Sequence, residues 1–557
     1  MRRGSVIFSV FSFYLFTFYL FNTLVLAGLA CAQSFDEDFH LWPTDLKING
    51  TIVACGGTDL TLSGVEILES AAKKEGANTI VVRFYDPDKF GYHHEAVEQA
   101  IEALLESPKG LEQFKVPTKP AQLKDETAKS IEAANAVWIL TDEIPKSDTA
   151  LLKQTFSAAK TVVENGGTLC VSGPGVEYLG RFKTGLSSKV ETSHLIPDTV
   201  IKTGYVDKDH RPESLGLLAQ HPRNVGIGIP DDTAIVLRHR KIRVLGEGKA
   251  TFCLSANEHV PLRIQHVGER KSRRADPYKT IVDLTAWRRD AIDRTVEPFP
   301  AEKPPVPNVE NGTLLIVGGG SVPRGLMDRL VELAGGKENA KLVFVPCSEA
   351  DEVSAKHRTV EAWKKMGVES ATFIHTKDRV KANSDEEFLA PLKDATGIWF
   401  GGGRQWNFSD SYYGTKAHEL MKGVLKRGGV IGGSSAGASI QAAYMCRANP
   451  VANFDIMAPG YERGLGFIRG VAIDQHFSQR RRQKDMTQLV NRYPQLLGIG
   501  IDESTALVVQ KSRAEVVGRG KVYFYDRNQP VVPGEDDFLA LKSGSVFDLA
   551  EREVVED

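Results

Sequence analysis

One stretch of this chain returns after 262 residues, and that repetition constrains the fold more than any other feature. Gly50-Thr-Ile-Val-Ala-Cys-Gly-Gly57 reappears as Gly312-Thr-Leu-Leu-Ile-Val-Gly-Gly319. In the same order, Ala136-Val-Trp-Ile139 is answered by Gly397-Ile-Trp-Phe400. Gly166-Gly-Thr-Leu-Cys-Val-Ser-Gly173 is answered by Gly428-Gly-Val-Ile-Gly-Gly-Ser-Ser435, and Val225–Ala234 by Leu497–Ala506. Ordered matches at so long a period imply two tandem domains rather than a solenoid. Within each copy, apolar strand-like runs alternate with helical patterns. The expectation is therefore α/β: two three-layer domains, each with a mostly parallel sheet and helices on both faces. Functional groups should gather at the carboxyl ends of the strands, where the Gly-rich turns fall.

The repeat also sets the boundaries. Residues 45–290 form the first domain and 312–557 the second, joined by a Pro-rich, semi-rigid connector over 291–311. Residues 1–32 differ: Arg2 and Arg3 precede an apolar run from Val6 to Leu29, then Ala30-Cys31-Ala32. That pattern predicts a signal peptide cut after Ala32, hence an exported protein, periplasmic or extracellular. The run is also long enough for a retained membrane anchor, and Cys31 offers a lipidation alternative. The remaining cysteines, Cys55, Cys170, Cys253, Cys347 and Cys446, lack C-x-x-C spacing, so neither a disulfide framework nor a metal site is indicated. With 69 Lys+Arg against 71 Asp+Glu, no global field points to nucleic acid.

The chemistry concentrates in the second copy. Gly433-x-Ser435-x-Gly437 follows an apolar pair and precedes a helix-compatible segment, the layout of a nucleophile elbow. On its own the pattern also fits a tight strand–helix turn that holds an anion. Three further segments can converge on it. Trp399–Gln405 ends a strand in a glycine turn, with Gly402 and Gly403 offering free amides beside that of Ala436 for an oxyanion, and with Gln405 aimed inward. Ile473–Arg482 supplies His476, a general-base candidate near neutrality. Gly498–Ala506 closes a strand with Asp502 and Glu503, which could also simply cap the next segment. The first copy is an internal control. It keeps the framework glycines but has Gly173, Gly204 and Ile144 where the second has Ser435, His476 and Gln405. One active domain fused to an inert relative is expected.

Gly432–Ala438, Gly402–Gln405, Asp474–Arg482 and Gly498–Ala506 together resemble the cyanophycinases, serine peptidases of the family that includes aspartyl dipeptidase. The resemblance covers about 312–549. It implies a flavodoxin-like fold similar to class I glutamine amidotransferases, and cleavage next to aspartyl residues, as in cyanophycin, a poly-aspartate carrying arginine on its β-carboxyls. It implies Ser435 as nucleophile and His476 as base, with Asp455 as the acid. Gln405, Gln475, Arg480 and Arg482 would shape the substrate pocket, and no cofactor is required. Family members commonly pair subunits, so an intramolecular pair of domains and a homodimer are both expected modes of association. The chain departs from the family at Arg404, Ser434 and Asp485, the last standing where a third arginine is usual. Two alternatives stay open: a peptidase for other aspartyl or isoaspartyl peptides, and an exported inactive binding protein.

Overall fold

The computed structural model describes residues 42, 46, 48–57, 67, 79–85, 111–117, 125–141, 150–183, 192–272 and 274–556. The expected leader, most of residues 65–74, where the sequence pattern predicts a helix, and Ile144 lie outside the described residues. Among those described, no helix is long and apolar enough to cross a membrane, and no cluster of His, Cys, Asp or Glu could hold a metal ion.

The N-terminal half is built on an eight-stranded sheet. Five parallel strands run in the order Leu111–Pro117, Thr79–Tyr85, Ala136–Thr141, Thr168–Ser172 and Thr51–Cys55. Three antiparallel strands, Thr233–Arg238, Lys241–Gly246 and Ile281–Asp283, extend one edge. The C-terminal half repeats that order with Ser370–Phe373, Lys341–Val345, Gly397–Phe400, Val430–Ser434 and Val309–Val317. Thr505–Lys511, Arg513–Gly518 and two short strands then run antiparallel. Each half adds a five-stranded second sheet, three strands parallel and two antiparallel. The sheets are thus more mixed than the repeat pattern implied. Short hairpins need no crossover helix, so the alternation of strand and helix says nothing of these edges.

Period-2 alternation makes the layers. In Gly312–Val317, Leu314 and Ile316 enter one core with Met421 and Leu425 of helix Lys416–Lys426. Leu315 and Val317 enter another with Leu330 and Trp363. The N-terminal half does the same: Ile52 and Ala54 meet Phe156 and Val163, while Val53 and Cys55 face Trp138 and Ile67.

Several contacts join residues of the two halves. Helix Leu284–Asp293 of the first half runs past residue 290, and strand Val309–Val317 starts before 312. The segment between elements is therefore 294–308, shorter than the connector expected from composition. Ala286 of that helix joins the core of the second half. Gly460 (φ +84°) lies so close that a Cβ there would overlap the Ala286 carbonyl oxygen. Arg289 approaches Asp410 at 2.7 Å, Arg463 reaches Asp293 at 3.0 Å, and Arg240 bridges Asp283, Asp410 and Tyr461.

Candidate active site

The carboxyl ends of Val430–Ser434, Ile468–Gln475 and Leu497–Ile501 deliver three side chains to one point. Ser435 follows the first strand at φ +58° and ψ −114° and caps a four-residue helix, Ala436–Ser439. Gly433 and Gly437 permit the bend, because a Cβ on Gly433 would overlap the Gly437 carbonyl. His476 follows the second strand at φ +51°. Its amide donates to the Gly318 carbonyl at 2.7 Å, and its ring lies over Gly319, where any Cβ would collide with the imidazole. Ser435 Oγ and His476 Nε2 are 2.9 Å apart, and His476 Nδ1 and Glu503 Oε1 are 2.5 Å apart. These partners assign the tautomer: Nδ1–H donates to the carboxylate, leaving Nε2 to accept from the serine.

Two non-glycine residues thus sit at positive φ where the N-terminal half has Gly173 (φ +77°) and Gly204 (φ +56°). The backbone match is close: the Gly204 amide donates to the Gly56 carbonyl, as that of His476 does to Gly318. Glycine is the unstrained choice at such positions. A side chain held there costs about 1–3 kcal/mol and marks a place where the side chain itself is needed.

The amides of Ala436, Gly402 and Gly403 donate to no protein acceptor among the described residues. Gly402 faces the serine, as a Cβ on it would lie 3.6 Å from Ser435 Cβ. Ala436 and the 402–403 turn therefore flank the serine with unspent donors, as an oxyanion requires.

The acid departs from the sequence expectation. Asp455 does not meet the imidazole. It lies on the loop after Arg447, where burial raises its carboxyl, with Asp276 and Asp485 adding to the rise and Arg447 opposing it. The group on Nδ1 is Glu503, at a strand end the sequence brings toward the site, although no motif ties it to the histidine. Its neighbour Asp502 is a brace, accepting from the amides of Ser478 at 2.9 Å and Lys521 at 3.1 Å.

The pocket residues divide. Gln405 is buried and donates to the Cys446 carbonyl at 2.5 Å. Arg482 is buried and bound to Asp474 at 2.8 Å, to the Gln475 carbonyl at 2.5 Å and to Gln475 Oε1 at 3.2 Å. Asp474 is held from its other side by Arg447 at 2.8 Å, which also takes Asp485 at 2.5 Å. Asp485 thus answers Arg447 where the family places an arginine. Arg482 and Gln475 form a wall rather than a free grip. Arg480 is exposed, and its guanidinium makes no ion pair among the described residues.

Burial lowers the His476 imidazole below its ordinary 6.5. Glu503 opposes the shift, and Arg480 and Arg482 reinforce it. A base must be neutral to accept the serine proton. Hydrolysis should therefore hold as pH falls to 6.5 and decline only below it. Arg480→Gln removes a nearby cation, favours the imidazolium and should move that limb to higher pH, whatever it does to KM. Profiles of kcat/KM from about pH 4.5 to 8 check this; an unmoved limb would show that Arg480 does not act on the imidazole. A second test concerns the acid. Glu503→Gln should lower kcat by about 10²–10³-fold, less than loss of the nucleophile, because the acid only orients and supports the base. Asp455→Asn should change it by less than about threefold. The reverse ranking would restore Asp455.

An elbow serine at the head of parallel strands, with an imidazole and a carboxylate in line, defines a hydrolase of the serine type. Residues 288–517 match peptidase family S51. A cyanophycinase of Geminocystis herdmanii (strain PCC 6308) is 29% identical over 220 residues, covering 38% of this chain and 80% of that protein. One from Synechococcus elongatus is 28% identical over 223 residues, 39% of this chain and 68% of that protein. Among solved structures, a peptidase from an acI-B1 Actinobacterium is 25% identical, with a TM-score of 0.33, covering 43% of this chain and 97% of that one.

Proposed function

We propose that the protein is an exported serine peptidase that cleaves next to aspartyl residues through an acyl-enzyme, with cyanophycin or a related aspartyl peptide as substrate. The Ser435–His476–Glu503 chain carries the reading. His476 takes the Ser435 proton as Oγ attacks the scissile carbonyl. Ala436 and Gly402 or Gly403 donate to the oxyanion. The imidazolium, supported by Glu503, protonates the leaving amine, and water then resolves the ester by the same route. The similarity to cyanophycinases supports the substrate class, and the apolar run Val6–Leu29 supports export.

The N-terminal half we read as a second copy of the fold that has lost its chemistry. The shared strand order supports this, and so does the state of the equivalent turn. Thr141 ends the strand matching Gly397–Phe400, and its Oγ1 accepts from the Gly175 amide at 2.7 Å. A Cβ on Gly173 would overlap the Thr141 carbonyl oxygen. The elbow there is filled as well as stripped, so restoring serine and histidine alone would not revive it.

A second reading, a peptidase for small aspartyl or isoaspartyl peptides, draws on the arginines. With Arg482 committed to Asp474, Arg480 is the one guanidinium of the pair left to meet substrate carboxylates. Incubating purified protein with cyanophycin and, separately, with aspartyl and isoaspartyl dipeptides decides. Release of β-aspartyl-arginine supports the first reading and dipeptide cleavage alone the second. Inertness toward all of them would return the protein to a binding role.

A further inference from the structure

Glu503 reaches His476 from the turn between strands Leu497–Ile501 and Thr505–Lys511, and its side chain is 39% exposed. A glutamate carboxylate swings on several torsions and water competes for it, so its alignment with Nδ1 has to come from the backbone and the surroundings. Gly320 closes one side: a Cβ there would lie 3.0 Å from Glu503 Cβ and 3.3 Å from its Oε2. The next amide along the turn, that of Ser504, donates to the Gly319 carbonyl at 2.9 Å.

The other side is held from the histidine's own segment. His476 leads into a single 3₁₀ turn, Ser478–Arg480. There Gln479 accepts from the Glu503 amide through Oε1 at 2.9 Å. Its Nε2 donates to Ser478 Oγ at 3.1 Å, which fixes the way the carboxamide faces. One residue back on both segments, the Ser478 amide donates to Asp502 at 2.9 Å. Two bonds of opposite sense therefore tie 478–479 to 502–503. In the N-terminal half, three residues beyond Gly204, Asp207 accepts instead from Tyr205 Oη at 3.0 Å and from Arg211 Nε at 2.9 Å. Gly204 carries no ring to align.

We propose that Gln479 is a positioning residue for the acid: by accepting from the Glu503 amide it keeps the carboxylate in line with His476 Nδ1, so that one turn sets both base and acid. The inference rests on the Ser435–His476–Glu503 reading of the site and adds a residue to it. Gln479 acts through Glu503 and not on the reacting atoms. Without its acceptor the carboxylate is still present, but Nδ1–H finds it aligned for less of the time. The bond is exposed and exchanges with water, so its loss should lower kcat by about three- to tenfold, less than the loss of the Glu503 charge itself.

Two variants of the full-length protein test this: Gln479→Met keeps the length of the side chain without the acceptor, and Gln479→Glu keeps the acceptor. For cyanophycin or the aspartyl dipeptide that is cleaved, Gln479→Met should lower kcat by about three- to tenfold with KM within about twofold, and Gln479→Glu should recover most of that loss. A readout that needs no substrate is the titration of the His476 ring, followed by NMR in protein labelled with nitrogen-15 histidine and assigned by its absence from His476→Ala. Glu503 favours the imidazolium, so Gln479→Met should move the titration to lower pH. Gln479→Glu adds a carboxylate nearby and should move it to higher pH. Gln479 is exposed, so both variants should melt within about 2 °C of the parent. An unmoved titration in Gln479→Met would overturn the proposal, and equal losses of kcat in both variants with a fallen Tm would make the residue structural instead. The serine mechanism is judged separately: if Ser435→Ala still turns over, that reading falls, while the ring titration continues to decide the part of Gln479.

Discussion

Ser435→Ala is expected to lower peptide hydrolysis by about 10³-fold or more, because nucleophile and base act as a unit. Its Tm should stay close to that of the parent. The hydroxyl's partner is His476 Nε2, and the turn is set by backbone: the Ser435 amide on the Val317 carbonyl at 3.0 Å, and the glycines that let the helix start. Alanine leaves all of that, including the strained φ of +58°. Ser435→Gly should be equally inactive but carry less strain at this position, as Gly173 does in the N-terminal half. Single-turnover assays with thermal unfolding separate the two effects. Retained turnover in a well-folded alanine variant would remove Ser435 from the mechanism, while loss of activity with a collapsed Tm would make it a structural residue.

Much of this is legible in the chain because the second half can be read against the first. The parallel strands show as apolar runs ending in glycine, and Ser435 and His476 stand out against Gly173 and Gly204. The acid does not show this way. Asp231-Asp232 precedes the first half's Thr233 as Asp502-Glu503 nearly precedes Thr505, so the acidic strand end is common to both and offers no contrast. That it closes the strand beside that of His476 is the signal that favours Glu503 over Asp455. Arg482 illustrates another limit: spacing places it at the pocket, but only the fold reveals that Asp474 is buried beneath and claims it. The second sheet of each half, and the contacts between halves, join residues far apart in sequence with no repeating period to announce them.

Those contacts give the largest stability prediction. Asp410 of the second half is buried among cations: Arg240 and Arg289 from the first half, and Lys377 from its own. Tyr461 Oη donates to it at 2.6 Å. Arg289 Nη1 lies 2.7 Å away without hydrogen-bond alignment, so its part is mainly Coulombic. Burial alone would raise the Asp410 carboxyl; the three cations outweigh it and hold it well below the usual carboxylate range. Removing one member of a buried ionic cluster strands the others, at about 3–5 kcal/mol. Asp283 still satisfies Arg240 through two bonds, at 2.6 and 2.8 Å, but Arg289 has Trp42 and Tyr461 rings rather than a second carboxylate among the described residues. Asp410→Ala should therefore lower unfolding stability in urea by roughly that amount and loosen the halves together. Because the folded carboxyl titrates below its unfolded value, its contribution is fully present above about pH 4 and is lost only as pH falls through the much lower folded value. The gap between parent and variant should thus be flat from pH 5 to 8. A loss under about 0.5 kcal/mol would mean that the ion cluster is incidental to the packing of the halves. A gap that closes between pH 8 and 5 would place the controlling charge on a histidine instead.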